Sequence, residues 1–363
     1  MDGGAANSFE ARPLTEQTAE DFKVVVARMF SRDATKRIDY LLTNPLRRRC
    51  ASCGDVVYEE RRPVCIQAAI LRRMYWGQNE FLGVIGGFLA RVPEASPETL
   101  LQVIARTVAS RGGSRLFFAN TAVKTTVKLY GLLGIKSNGG ISWGCLRARR
   151  LRPLLGWYLA QCERHPRLPK IRFSVWGPRR EERVVFRKGG IVIRRRLAVV
   201  EQEADDLWRR YLTGNRGVVS SRDAETLNWI FGAQLAKGRA LLFGAYKADC
   251  LIGYVIVNRA STASRIWRVM DLLVEGDDPD TMDCLLNGAV SYLRKRARAV
   301  EVTVRGFPLK VDALLRRHFN REVKLANNPF LFAAQGDESL NVAVAQSLVD
   351  GWFGCPYDGD AVL

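Results

Sequence analysis

FLGVIGGFLA (Phe81–Ala90), Ser96-Pro97-Glu98 and RLFFA (Arg115–Ala119) follow one another, and their order decides the fold. The first is a Gly-punctuated apolar run of strand length. The second opens a helix, with Ser96 as N-cap and Pro97 at the first helical position, running to about Ser110. The third is again a strand. A strand–helix–strand crossover of this kind predicts parallel pairing of its two strands. Outward from this core, Thr125–Leu133 reads as a helix ending at Gly134. Upstream, Asp55–Glu59 and Val64–Leu71 read as strands. Asp39–Leu46 is an apolar piece broken by Asn44-Pro45, and Thr18–Met29 is a helix with Thr18 as N-cap and Asp21 in its first turn.

The same order returns downstream. A helix over Glu203–Leu212 precedes Asp223–Phe231. The strands Ala240–Tyr246 and Leu251–Asn258 flank a turn at Lys247–Asp249, and Ile266–Val274 is a third strand. Asp277-Asp278-Pro279-Asp280 then caps a long helix to about Arg298. Ala299–Val304 is a strand, Leu309–Phe319 a helix and Phe330–Ala334 a last strand. The expectation is a duplicated α/β (α+β) architecture with a mixed central sheet in each copy. Its boundaries are a flexible N-terminus over 1–17, a first domain over 18–145, a connecting segment over 146–195, a second domain over 196–336 and a tail over 337–363, which frays or wraps the second domain.

Composition agrees with two cores. The chain has 363 residues, 47% hydrophobic and 26% charged, against roughly 150 residues per domain. Disorder as the main state is excluded, and no apolar run is long enough for a membrane helix. The N-terminus has no apolar signal region, so the reading is cytoplasmic. Net charge is +19, and residues 147–196 carry 16 basic and 3 acidic side chains. Apolar groups are interleaved there, so the segment is a charged face over packed elements or a surface for an anionic ligand or membrane. The eight cysteines are too sparse for a disulfide scaffold. Cys50 and Cys53 form one CxxC, and His165 and His318 lie far from it; a zinc site needs four ligands, so no metal is expected. With two histidines in all, a Ser-His-Asp triad is not expected either.

These features together resemble the GNAT acetyltransferase fold, present twice. In the first half the likeness rests on FLGVIGGFLA, the helix from Pro97 and RLFFANTAVKTTVKLYGLLGIK (115–136). The last contains Leu129-Tyr130-Gly131-Leu132-Leu133-Gly134-Ile135 where the family has L-Y-x-x-x-G-F. In the second half it rests on SRDAETLNWIFGAQ (221–234), LIGYVIV (251–257), WRVMDLLVEGDD (267–278) and NPFLFAAQGDES (328–339), which resemble tandem GNAT proteins often encoded with bacterial polysaccharide biosynthesis genes. The resemblance implies two GNAT-like domains. It also implies acyl transfer from acyl-CoA to an amine in a V-shaped slot between two splayed central strands, with the CoA pyrophosphate on backbone N–H groups at a helix N-terminus.

Carried onto this chain, the first pyrophosphate loop is Arg91–Glu98, which lacks glycine and has two prolines and two carboxylates; its remaining donors are the amides of Ala95, Ser96, Glu98 and Thr99. The second, Val274–Asp280, has one glycine and four carboxylates, which oppose a pyrophosphate. Tyr130 stands where the family has its general acid. Leu314 stands there in the second half, and His318 replaces the glycine. Glu80 and Asp271 are the candidate bases, with Asp271 the more unusual because it lies in an apolar run. The leading function is N-acyl transfer to an amino sugar or similar small amine of a cell-surface polysaccharide or lipid pathway. A non-catalytic GNAT-like binding protein is the alternative, and a Fem-like transferase using aminoacyl-tRNA is a further one.

Overall fold

The computed structural model describes residues 9–30, 34–49, 52–109, 114–119, 124–138, 144–149, 182–259, 265–297, 299, 301–304, 312–319, 322–324, 330–334 and 336–350. Cys50, His165, most of the basic segment (150–181) and residues 351–363 lie outside them.

The first sheet begins earlier than expected. Residues assigned to a flexible N-terminus contain β1 (Phe9–Pro13), antiparallel to β2 (Gly54–Glu59). Between them lie α1 (Ala19–Phe30) and α2 (Ala34–Leu42). Next come β3 (Arg62–Trp76) and β4 (Asn79–Arg91), joined by a tight turn at Gly77 with φ 59°. β3 runs five residues beyond the expected Leu71. The polar pair Arg72-Arg73 read as a strand end, but both side chains find partners in the other half of the chain. Then follow α3 (Glu98–Ala109), β5 (Leu116–Ala119), α4 (Lys124–Leu132) and β6 (Lys136–Asn138). The expected parallel pairing is present: β4 and β5 run parallel, and the other pairs of this sheet are antiparallel.

The second sheet contains β7 (Gly144–Arg149), β8 (Arg183–Lys188) and β9 (Ile191–Arg196), followed by α5 (Glu201–Gly214) and β10 (Val218–Ser220), which joins the first sheet instead. Helix α6 (224–236) has a π turn at Asn228–Gly232. Strands β11 (Ala240–Lys247), β12 (Cys250–Arg259) and β13 (Ile266–Val274) lead to α7 (Pro279–Lys295), and then to β14 (Glu301–Val304), α8 (Asp312–His318) and β15 (Glu322–Lys324). Asp278 caps α7 as expected, accepting from the Thr281 amide at 2.9 Å. Strand β16 (Phe330–Ala333) and α9 (Glu338–Asp350) end the described chain.

The two sheets trade strands. Their orders are β1-β2-β3-β4-β5-β16-β6, with β10 beside the outer half of β3, and β15-β7-β14-β13-β12-β11-β9-β8. Strand β16, read from sequence as the end of the second copy, is wedged between β5 and β6 of the first. Strand β7 makes the reciprocal move, between β14 and β15. Each copy is thus completed by a strand from the other side of the expected boundary. Helix α9 also lies on the first sheet rather than the second: it contacts β10 and β16, and the Ser347 hydroxyl accepts from the Val218 amide at 2.7 Å.

Further contacts weld the halves. Ser221 donates its amide to the Arg73 carbonyl, and Arg73 pairs with Asp223 at 2.6 Å. Trp229 of α6 stacks on Tyr40 of α2 at 4.4 Å, with the buried Arg72 guanidinium over the indole. No described helix is long and apolar enough to cross a membrane. Phe330 is fully buried and stacked on Phe118 of β5. Phe330→Ala is expected to cost about 3–5 kcal/mol in urea unfolding, and to speed hydrogen exchange in β5, some two hundred residues upstream, more than in β12.

Candidate active site

Both sheets split at the same place. β4 and β5 pair over Gly83–Ile85 with Leu116–Phe118; β4 then continues six residues to Arg91, with no strand on that side among the described residues. β13 and β14 pair over Ile266–Arg268 with Glu301–Thr303, and β13 likewise continues six residues to Val274. Each long strand carries a bulge past the split. In β4 the register shifts by one residue opposite Gln67, and Phe88 has φ 49°. In β13 it shifts at Met270, beside Asp271. A bulge bends its strand, and a bulky residue at positive φ holds only where the surroundings enforce it. In each copy this leaves a wedge, a bent length of strand with no neighbouring strand on that side among the described residues.

In the first wedge, Tyr130 reaches from α4 to the split. Its hydroxyl accepts a 2.6 Å hydrogen bond from Gln67 Nε2, and its ring packs on Phe117 at 5.5 Å. Gly86, the first residue of β4 beyond the paired segment, underlies this cluster. A Cβ there would meet Phe117 Cζ at 2.5 Å and Gln67 Nε2 at 3.0 Å. Glycine therefore lets both groups lie on the strand. Tyr130 and Gln67 are fully buried. Gln67 shares its face with its register partner Asp55, whose carboxylate takes bonds from Arg106 at 2.7 Å and Thr107 at 3.0 Å on α3. Burial nonetheless pushes the Asp55 carboxyl above its usual range, against the opposing effect of those two donors. Cys65, also on β3, has its thiol pushed by burial up to about 12, which rules against a thiolate nucleophile there.

The amides expected to cradle a pyrophosphate are already engaged. Ser96 donates to the Glu59 carboxylate at 2.9 Å, Ala95 to the Val92 carbonyl, Glu98 to its neighbour's hydroxyl Ser96 Oγ, and Thr99 to the Ser96 carbonyl. A carboxylate from the end of β2 thus sits where a phosphate would accept, at the N-terminus of α3. Glu80 lies at the other end of β4, exposed, bonded by Tyr75 and near Arg49 and Arg73.

The second wedge holds different chemistry. Asp271 is buried and both its oxygens lie 3.2 Å from Arg222 Nε; Tyr254 donates to one of them at 2.7 Å. Arg222 is itself held by the Ser220 carbonyl. A general base needs a lone pair facing its substrate. Asp271 spends its oxygens on a buried cation from the segment after β10, so it ties the second sheet to the strand that joins the first. Beyond it, the β13–α7 connection borders a cavity of about 610 Å³ lined in part by Lys188, Lys247, Glu275, Asp278, Asp280 and Cys284. Three carboxylates at a helix start disfavour a pyrophosphate. Leu314 is buried in α8, where it offers no proton, and His318 is bonded to Asp283 at 2.9 Å.

Tyr130 thus lies at a wedge, as its spacing to Gly134 suggested, whereas Asp271 and the four amides are occupied by protein partners. Gln67, Gly86 and Glu59 were missed. Gln67 alone left a signal, as a polar residue inside the apolar run VCIQAAIL.

No protein-family model matches this chain, and neither does any curated protein. Among solved structures it is similar to a GCN5-related N-acetyltransferase of Anabaena variabilis, with a TM-score of 0.55 at 12% identity over 90% of this chain and 73% of that one. It is similar over 99% of its length to 98% of a Pyrococcus horikoshii protein attributed acetyltransferase activity, at 13% identity and a TM-score of 0.54. A third likeness is to Saccharomyces cerevisiae N-myristoyltransferase with bound myristoyl-CoA, at 12% identity and a TM-score of 0.50 over 90% of this chain and 79% of that one. The fold is the GNAT fold, present twice in one chain.

Removing one side of the buried ion pair should be costly. Arg222→Met is expected to destabilise by about 3–5 kcal/mol, and the double variant with Asp271→Leu to recover much of that loss, as a double-mutant cycle in urea would show.

Proposed function

We propose that this chain is an N-acyltransferase that moves an acyl group from an acyl-CoA thioester to an amine in the first wedge, with Tyr130 as the acid. The observation behind this is the Tyr130 hydroxyl, fixed by Gln67 over Gly86 where β4 and β5 part. An amine attacks the thioester carbon, the carbon–sulfur bond breaks, and the departing sulfur takes the Tyr130 proton. Burial of the Tyr130 hydroxyl keeps water from the reacting centre, which spares the thioester from hydrolysis in competition with the amine. The second copy completes the first through β16 and β10 and carries no equivalent acid at Leu314. The acceptor is an amino sugar or a similar small amine, in the polysaccharide or lipid pathway that the sequence resemblance implies. The +19 net charge would also suit the further alternative, an aminoacyl-tRNA donor, but does not by itself favour it.

The Tyr130 hydroxyl supports a thioester as the donor, but the loop at α3 does not suit its pyrophosphate, because Glu59 already holds the Ser96 amide. That observation favours a second reading, a GNAT-like protein that binds a ligand without turnover. Thiol release by the wild type separates them, and three further measurements test the first. Thermal shift with acetyl-CoA should raise the melting point, with about 2.7 kcal/mol of added stability at a hundredfold excess over Kd. S-acetyl-pantetheine, lacking the nucleotide, should bind within about tenfold of acetyl-CoA, a difference of about 1.4 kcal/mol. Tyr130→Phe should lower kcat by about a hundredfold or more with binding retained. Binding with no thiol release by the wild type would establish the second reading.

A further inference from the structure

Gln67 carries an unsatisfied group at the centre of this site. Its Nε2 donates to Tyr130, but its Oε1, equally buried, meets no hydrogen-bond partner among the described residues. The register partner on β2 is treated differently: Asp55 is given donors from both Arg106 and Thr107. A buried carbonyl oxygen without a donor is rare in folded proteins and marks a place where something else donates. It sits opposite the β4 bulge, with Nε2 against Gly86, the first residue beyond the strand split.

Resting on the acyl-transfer reading, we infer that Gln67 organises both reacting partners, its Nε2 fixing the phenol oxygen of Tyr130 and its Oε1 accepting an N–H of a primary amine substrate. The two amide atoms are joined through one carbon, so nucleophile and acid are held on the same short, rigid group. An N–H bonded to Oε1 leaves the amine lone pair to face the thioester carbon. Because Nε2 donates to the phenol oxygen, the Tyr130 proton is turned away from Gln67, toward the sulfur. As the carbon–nitrogen bond forms and the carbon–sulfur bond breaks, sulfur takes that proton. The amine then sheds one proton, which restores Tyr130, so amine plus thioester gives amide plus free thiol. Through these steps Nε2–H steadies the transient phenolate.

Gln67→Met removes both hydrogen bonds at nearly constant volume, and Gln67→Glu keeps the acceptor oxygen while losing the donor. Thiol release from acetyl-CoA would be followed with ethanolamine, glucosamine and spermidine, beside acetyl-CoA affinity by calorimetry and a melting curve for each variant. Gln67→Met is expected to raise the amine KM and lower kcat by about tenfold or more each, with acetyl-CoA affinity within about twofold. Gln67→Glu should keep the amine KM within about threefold and lose about tenfold or more in kcat, recovering toward low pH as the protonated carboxyl again carries a donor. Gln67→Glu keeps the test decisive if Gln67→Met does not fold. A wild type that turns over while both variants match it in kcat and amine KM overturns the assignment of Gln67 alone. A wild type that binds acetyl-CoA and releases no thiol with any of the three amines overturns the acyl-transfer reading, and this inference with it.

Discussion

β4 and β5 hold together for three residues and then part, and the site depends on that separation. The bulge at Phe88 bends β4 beyond the pairing, and β5 ends at Ala119. The opened edge offers backbone groups without a neighbouring strand, in an interior otherwise closed by apolar side chains. Into it come Tyr130 from α4 and Gln67 from β3, and Gly86 makes room for both. The second copy repeats the separation and the bulge, but fills its wedge with the Arg222–Asp271 ion pair. The two openings are thus filled differently, the first by the Tyr130 hydroxyl held by Gln67 and the second by a buried charge pair.

The strand exchange makes each copy depend on the other for a complete sheet. β5 would be a sheet edge if β16 did not cover it, and β14 would be one without β7. Edge strands expose unpaired backbone and invite aggregation. The exchange closes both and fixes the halves to one another. β10 adds a third link along β3, and the buried Arg222 and Arg72 extend from that link into the two cores. Charge buried between the halves adds little net stability, but it is costly to separate, so the two copies behave as one unit.

Much of this was legible in the sequence because it is local. Ser96-Pro97 and Asp278-Pro279 announce helix starts through cap chemistry, RLFFA announces a strand, and Gly134 ends α4 with φ 72°. Tyr130 could be placed from its spacing to that glycine. What was not legible depends on partners distant in the chain. Arg72-Arg73 read as the end of β3 because their partners, Tyr40 with Trp229 and Asp223, are supplied by other elements. Asp271 advertised its need for a counter-charge, but nothing local identifies Arg222, 49 residues away. FLFA at β16 carries the pattern of a strand and no record of which sheet it enters. Glu59 likewise gives no sign that it will occupy the start of α3.

Hydrogen exchange with and without saturating acetyl-CoA tests the central claim, that the first wedge alone receives the thioester. The account predicts slowed exchange over residues 86–91 and in α4 around Tyr130, with residues 269–281 unchanged. Protection over 269–281 instead, or in neither copy, would contradict it.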